Sequence, residues 1–414
     1  MTRPRTASDP EMDQTKALFL ESLRCGIHGG SVEWTEPPDD TAQRALILLF
    51  RAHSLQAVAA QALFACPQLS QTRFLRMLKQ DARSETIRQA ERTAEFLLLL
   101  RDLERRGLRP AVLKGIVCRS LYPEPEQRPS TDEDLLIEPE TFAAYHEALL
   151  ACGLRLQDPE RTLEGQDEIT YVDPERKLYV ELHLRPFPAE DSAYGDCNRF
   201  FEGSMERTVT LPVYGREIRT LCPTDHLLYM LCHAYKHILY GGIGVRQICD
   251  ICLFARRFHA EIDWSHVRGS CEGLRIARLA AAMFRIGERH LDIPCPEAFA
   301  DLAVDELPLL HDCLTGGLYG VDDADRLHSS RMTLEAVSAA KQGRGNRGRL
   351  KSLFPPARSL EGRYPYLRRK PWLLPCAWGQ RIASYLSDRQ TDPARSLQIG
   401  RERVELLKQY QIIP

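Results

Sequence analysis

No apolar run in this sequence approaches the ~18–20 residues that a bilayer span needs; Phe96-Leu-Leu-Leu-Leu100 is far too short. The amino terminus, Met-Thr-Arg-Pro-Arg-Thr-Ala-Ser-Asp-Pro, lacks the apolar centre of a secretory signal. Neither sign of charge dominates: 55 Lys and Arg face 57 Asp and Glu, a formal net charge of −2. That balance gives no global signature of nucleic-acid or membrane binding. No internal repeat recurs at a fixed period. Cysteine is not scarce, but orderly pairing is missing. The 13 cysteines are odd in number and scattered, several of them in helix-like apolar stretches such as those around Cys118, Cys152 and Cys232. They read as reduced, buried thiols, and the expected location is the cytoplasm.

What is present is ordinary globular material, 43% hydrophobic and 27% charged. A chain of 414 residues can bury a large core and form two or three lobes. The first hundred residues carry helical periodicity over 12–23, over 42–64 with a break near His53-Ser54, and over 86–106, which Gly107 stops. The pattern then changes. Residues 110–113 read as a short strand and 116–121 as a helix. A strand follows through 132–137, then a helix over 139–152. Segments 168–172 and 177–184 read as a hairpin about Asp173-Pro-Glu-Arg176, and a second hairpin turns at Tyr214-Gly-Arg216. This order predicts an α+β core over 107–222, flanked by a helical region over 1–106 and a helical domain over 223–414. In the last part, helices are expected over 224–240, 245–258, 276–286, 332–340, 378–386 and 392–410. A basic, glycine-rich loop (341–351) and a proline- and aromatic-rich arm (354–378) lie between them.

The most informative stretch is Arg128-Pro-Ser-Thr-Asp132-Glu-Asp134-Leu-Leu-Ile137. Side chains two apart on an extended strand share a face, so Asp132 and Asp134 converge while Glu133 points away. Two like charges held together repel unless a cation lies between them, which is the signature of a divalent-metal site. Alternation in Lys177-Leu-Tyr-Val-Glu-Leu-His-Leu-Arg185 puts Tyr179, Glu181 and His183 on one face. If the two strands lie side by side, Asp132, Asp134 and Glu181 form one carboxylate cluster suited to metal-assisted transfer of a phosphorus-containing group. The bland alternative is a solvated, inert pair at a strand entrance.

Taken together, Leu113-Lys114-Gly115, the Asp132/Asp134 stretch, Val180-Glu181-Leu-His183 and Leu231-Cys-His233-Ala-Tyr-Lys-His237 with Arg246 and Asp250 resemble the uncharacterised nucleotidyltransferase family. So do Leu353-Phe-Pro355 and the segment from Arg363-Tyr-Pro365 to Leu374-Pro375. That family belongs to the superfamily built on the DNA polymerase beta-type catalytic core. The resemblance implies a small mixed-sheet nucleotidyltransferase core. It also implies two Mg²⁺ ions on Asp132 and Asp134 with Glu181 as third carboxylate, and a nucleoside triphosphate such as ATP as donor. The acceptor stays open: a sugar, another small molecule, a peptide or a protein hydroxyl.

One departure stands out. The superfamily usually carries Gly-Ser on the phosphate-holding turn, and Lys114-Gly115 stands there instead. Gly115 still permits close backbone approach and Lys114 supplies a cation, so both are expected at the phosphates. The departure also favours an alternative, a catalytically degenerate scaffold that binds nucleotide or a protein partner. Arg128 either pairs with a triphosphate oxygen or bridges to a local carboxylate such as Glu126. His183 either contacts the substrate or fixes a carboxylate. His233, His237, Arg246 and Asp250 face the cleft or pair between helices. His233/His237 with Cys249/Cys252 also have zinc-like spacing, in an unusual order. Nucleic-acid binding by the basic loop or by Arg368-Arg369-Lys370 is not expected.

Overall fold

Periodicity changes near residue 107, and the architecture changes with it. The structure, a computed structural model, describes residues 13–160, 163, 165–318, 324–343, 360, 364–368, 370–387 and 393–414. Most of the basic loop, Leu353-Phe-Pro355, Arg363 and Arg369 therefore lie outside the described residues.

Helices α1 (Gln14–Ile27), α2 (Asp40–His53) and α3 (Gln56–Phe64) bury Phe19, Leu23, Phe50 and Leu63 against one another. The expected break falls at Ser54, whose φ of 51° ends α2 in the left-handed conformation. Helix α4 (Arg73–Arg105) begins well before the expected 86. Thr72 caps it by accepting from the Leu75 amide, and Phe74, Leu75, Leu78 and Ala82 extend its buried stripe. Ser84 and Glu85 mask that stripe in the sequence, yet Glu85 is itself buried.

The core then runs β1 (Ala111–Leu113), α5 (Gly115–Arg119), β2 (Glu133–Leu136), α6 (Phe142–Ala151), β3 (Arg155–Leu156), β4 (Glu168–Asp173) and β5 (Leu178–His183). Its sheet has the order β1-β2-β5-β4-β3, with β2 and β5 parallel and the other pairings antiparallel. The excursion through α6 and the β3–β4 hairpin returns the chain beside β2 in that parallel sense. Asp173 accepts from the amides of Glu175 and Arg176 and so shapes the β4–β5 turn. Strands β6 (Val209–Val213) and β7 (Arg216–Thr220) form a separate ribbon. Tyr214 and Gly215 both have positive φ, 53° and 70°, as a two-residue hairpin loop requires.

The remainder is helical: α7 (Pro223–Tyr240), α8 (Val245–Arg257), α9 (Trp264–Gly273), α10 (Ala277–His290), α11 (Glu297–Ala300), α12 (Leu307–Gly316), α13 (Ala324–Lys341), then Leu374–Ser387 and Pro393–Gln409. Helices α9 and α12 were not anticipated; glycine, serine and proline dilute their apolar pattern. One apolar core runs from Phe19 to Ile413, so most of the flanking helices share an interior with the sheet, while Leu360, Leu367 and Ala377 form a small cluster of their own. The fold is α+β. No helix among the described residues is long and apolar enough to cross a membrane.

Candidate active site

Parallel pairing of β2 with β5 sets Asp134 directly opposite Glu181 and Leu136 opposite His183. Asp134, Glu181 and His183 each bring a ligand-capable atom into one group, all within 4.8 Å of one another. His183 Nε2 lies 3.0 Å from Asp134 Oδ1 and 3.7 Å from Glu181 Oε2. Burial alone would raise Asp134, but the Lys114 ammonium and the His183 hydrogen bond overcome it and hold the carboxyl well below its ordinary value. Glu181 moves the other way: burial and the charges of Asp134, Asp132 and Glu168 raise it, against the His183 hydrogen bond. Asp132 is half-buried just before β2, near enough for its charge to be felt at Glu181. The donor set of that group, two carboxylates and an imidazole, fits a divalent cation.

Lys114 closes this group from the β1 side. Its Nζ sits 3.0 Å from Asp134 Oδ2 and donates to His233 Nε2 at 2.8 Å, with the Tyr229 ring 5.8 Å away. The turn behind it, where Gly115 is expected to let a phosphate approach the backbone, is already filled. Glu133 points away from the carboxylate cluster, as alternation predicts, but it is buried. Its carboxylate accepts from the Ile116 amide at 3.2 Å and pairs with Arg119 at 2.6 Å. A Cβ at residue 115 would collide with Glu133 Oε2. The anion at this turn is therefore the protein's own, and Gly115 is small to make room for it.

The second predicted constellation divides. His233 and His237 do reach the site, since their Nε2 atoms lie 3.1 Å apart and His233 meets Lys114. Burial and the nearby Lys114 charge lower both imidazoles, His237 to about 3, so both are neutral. Arg128 and Asp250 meet each other instead, in a buried pair at 2.5 Å that Tyr122 completes by donating to Asp250 at 2.8 Å. Thus Arg128 has a carboxylate partner, but on α8 rather than at Glu126. Arg246 donates to the Pro129 carbonyl at 2.8 Å. Among the described residues, His233, His237, Cys249 and Cys252 form no metal-sized group. Both cysteines are buried on α8, where burial raises their thiols, and Cys252 donates to the Met283 carbonyl at 3.6 Å.

Three contributors escaped the sequence reading. Glu168 on β4 pairs in register with His183, its Oε2 3.9 Å from Nδ1. Lys236 on α7 reaches the same carboxylate at 3.3 Å. His226 accepts from the Lys114 amide at 3.1 Å. Glu168 opens an alternating strand and so carried a faint signal, whereas nothing local marks Lys236 or His226.

No curated protein and no solved structure matches the chain. The family model described as uncharacterised nucleotidyltransferase matches residues 39–292, more than half of the sequence, and its span takes in every side chain of the carboxylate cluster. The chain belongs to the uncharacterised nucleotidyltransferase family.

Proposed function

We propose that this protein is a metal-dependent nucleotidyltransferase, working from a catalytic unit over 107–222. It moves a nucleoside monophosphate from a nucleoside triphosphate, with ATP the first to test, to an acceptor hydroxyl and releases pyrophosphate. The observation that carries this reading is the in-register pairing of Asp134 with Glu181, with Asp132 two residues earlier in the chain. Two Mg²⁺ ions, held by Asp132, Asp134 and Glu181, would supply charge neutralisation on the triphosphate and draw the acceptor oxygen toward the α-phosphorus. The protein's own groups do the rest. His183 fixes the orientation of Asp134 through Nε2. Glu181, raised above the usual carboxylate range by burial first and by its acidic neighbours, is the carboxylate suited to receive the acceptor proton. Lys114 turns its ammonium from Asp134 to a phosphate oxygen. Gly115 serves indirectly, by admitting Glu133 and so placing Lys114. Arg128 acts through Asp250, holding the entrance of β2. The unpaired thiols of all 13 cysteines suit the reducing cytoplasm.

A screen of the four common triphosphates with Mg²⁺ and a metabolite extract, read by pyrophosphate release and acceptor mass gain, tests the reading. Asp132→Asn and Asp134→Asn should each reduce release by on the order of a hundredfold or more, with circular dichroism unchanged. Undiminished turnover in both variants would refute it. The filled turn at Gly115 favours a second reading, a scaffold that binds nucleotide without transferring it. Tight nucleotide binding with no pyrophosphate release across the whole screen would select that one.

A further inference from the structure

The side chains of the site are graded in exposure. Asp134 and His183 form a floor that is 2% and 3% exposed, while Lys114, Lys236, Glu181 and Glu168 stand at 15%, 19%, 25% and 29%. The mouth of the site therefore lies along the Glu181–Glu168 edge, and two lysines border it. Lys114 comes from the β1–α5 turn and Lys236 from α7.

We propose that Lys236 is a second phosphate-binding lysine, held in reserve on Glu168 and transferred to the triphosphate when a nucleotide enters. This rests on the nucleotidyl-transfer reading and goes beyond it in giving Lys236 and Glu168 a joint task. Three observations carry it. First, Glu168 lies diagonally across from Glu181 on the neighbouring strand: it is paired in register with His183, Thr170 stands opposite Glu181, and the Glu168 charge is still felt at Glu181. A lysine docked on Glu168 therefore overhangs the place where a triphosphate must lie if Asp134 and Glu181 hold its metal ions. Second, the Lys236–Glu168 contact is a single 3.3 Å approach at a partly exposed position. Such a pair is worth little to the fold, and a lysine's four-carbon stem lets the ammonium change partners. Third, His233 and His237, on the same helix, are neutral beside the two ammonium groups. The imidazoles of α7 therefore supply no positive charge to a phosphate. With the charges of Asp132, Asp134 and Glu168 all felt at Glu181, an incoming polyanion needs cationic side chains at the rim, and Lys236 stands there with Lys114.

Under this arrangement Glu168 competes with the phosphate for Lys236, so the two residues have opposite effects on affinity. The test is titration calorimetry on the full chain with the magnesium complex of inorganic tripolyphosphate, which carries the phosphates and no base. Lys236→Met should weaken binding by about tenfold, and Lys236→Arg should restore most of it. Glu168→Gln should tighten binding severalfold, because its amide holds the ammonium less strongly. Mn²⁺ binding read by electron paramagnetic resonance should be the same in Lys236→Met as in the unmodified protein, which separates loss of a phosphate contact from damage to the carboxylates. If Glu168→Gln weakens binding as Lys236→Met does, or if neither variant changes it, Lys236 has no such role. If the unmodified protein binds no magnesium tripolyphosphate, the transfer reading falls and takes this inference with it. Normal binding with unresponsive variants removes this inference alone.

Discussion

Lys114 adopts φ 39° and ψ −115°, a backbone state that an L-residue holds only when its surroundings insist. Those surroundings are specific. The amide is held by His226 Nε2, and the ammonium lies between Asp134 and His233. Immediately behind it, Gly115 at φ 28° leaves the space that the Glu133 carboxylate fills. Gly115→Ala is expected to cost about 2 kcal/mol or more, from the collision with Glu133 together with the positive φ. Urea denaturation measures the loss, and a stability within a few tenths of the unmodified protein would contradict the packing described. At this scale the sequence was informative about which residue types gather. It could not say that Glu133, set between two aspartates, belongs to a different network. Alternation alone turned it away from the cluster, but its burial beside Arg119 depends on how α5 folds over β2.

At the scale of elements, β2 is held by buried charges on both sides of its entrance. Arg119 and Glu133 form one pair and Arg128 and Asp250 the other, and all four side chains are nearly inaccessible. Ser130 between them donates its amide to Gln89 of α4, and Arg246 of α8 donates to the Pro129 carbonyl. The strand that delivers Asp134, and the segment with Asp132 that leads into it, are therefore clamped by helices from both flanks. Breaking a buried pair leaves a charge without compensation, at a cost of about 3–5 kcal/mol. Asp250→Asn should lose stability of that order in chemical denaturation, and Arg128→Leu with Asp250→Leu should recover part of it. Full additivity of the two single losses would show that the residues act independently. Hairpins and helix stops are legible because they follow from local patterns, whereas the two-residue strand β3 carries no pattern of its own. Helix α4 was read short, and α9 and α12 were missed, because their apolar stripes are interrupted and only tertiary packing completes them.

For the whole molecule, α7 ties the helical part to the sheet, and it does so through histidines that are neutral. His226 is fully buried and lowered to about 3, by burial first and then by the Lys114 charge. Thr220 gives its hydroxyl proton to the Val112 carbonyl, so His226 Nδ1–H donates to Thr220 Oγ1 and Nε2 is left to accept from Lys114. A second proton on this ring would set two N–H groups against each other and release the Lys114 turn. His53, also fully buried, is lowered to about 4, mainly by burial. Both groups bind protons more readily when unfolded. Their contribution is complete above an unfolded value near 6.5 and is lost as pH falls toward 4 and 3. Stability should therefore fall on acidification from pH 7 to 4 by roughly 3 kcal/mol for each ring, measured as the shift in urea midpoint. His226→Asn should flatten part of that slope, and a midpoint independent of pH over this range would contradict buried neutral rings.

The sequence by itself determined the α+β class and the placing of Glu181 and His183 on one face of a strand. These follow from periodicity, which a single chain segment carries within itself. Asp132, expected on the same strand face as Asp134, precedes β2 and lies outside the group of Asp134, Glu181 and His183. Only the tertiary structure decided that β2 and β5 run parallel in a register opposing Asp134 to Glu181. It also decided that Glu168, Lys236 and His226 join them and that Arg128 turns to Asp250. Several of those contacts link side chains far apart in the chain: 68 positions for Lys236 and Glu168, 112 for Lys114 and His226, and 122 for Arg128 and Asp250. Their partners are chosen by how sheet and helices share one core, and no local pattern encodes that choice.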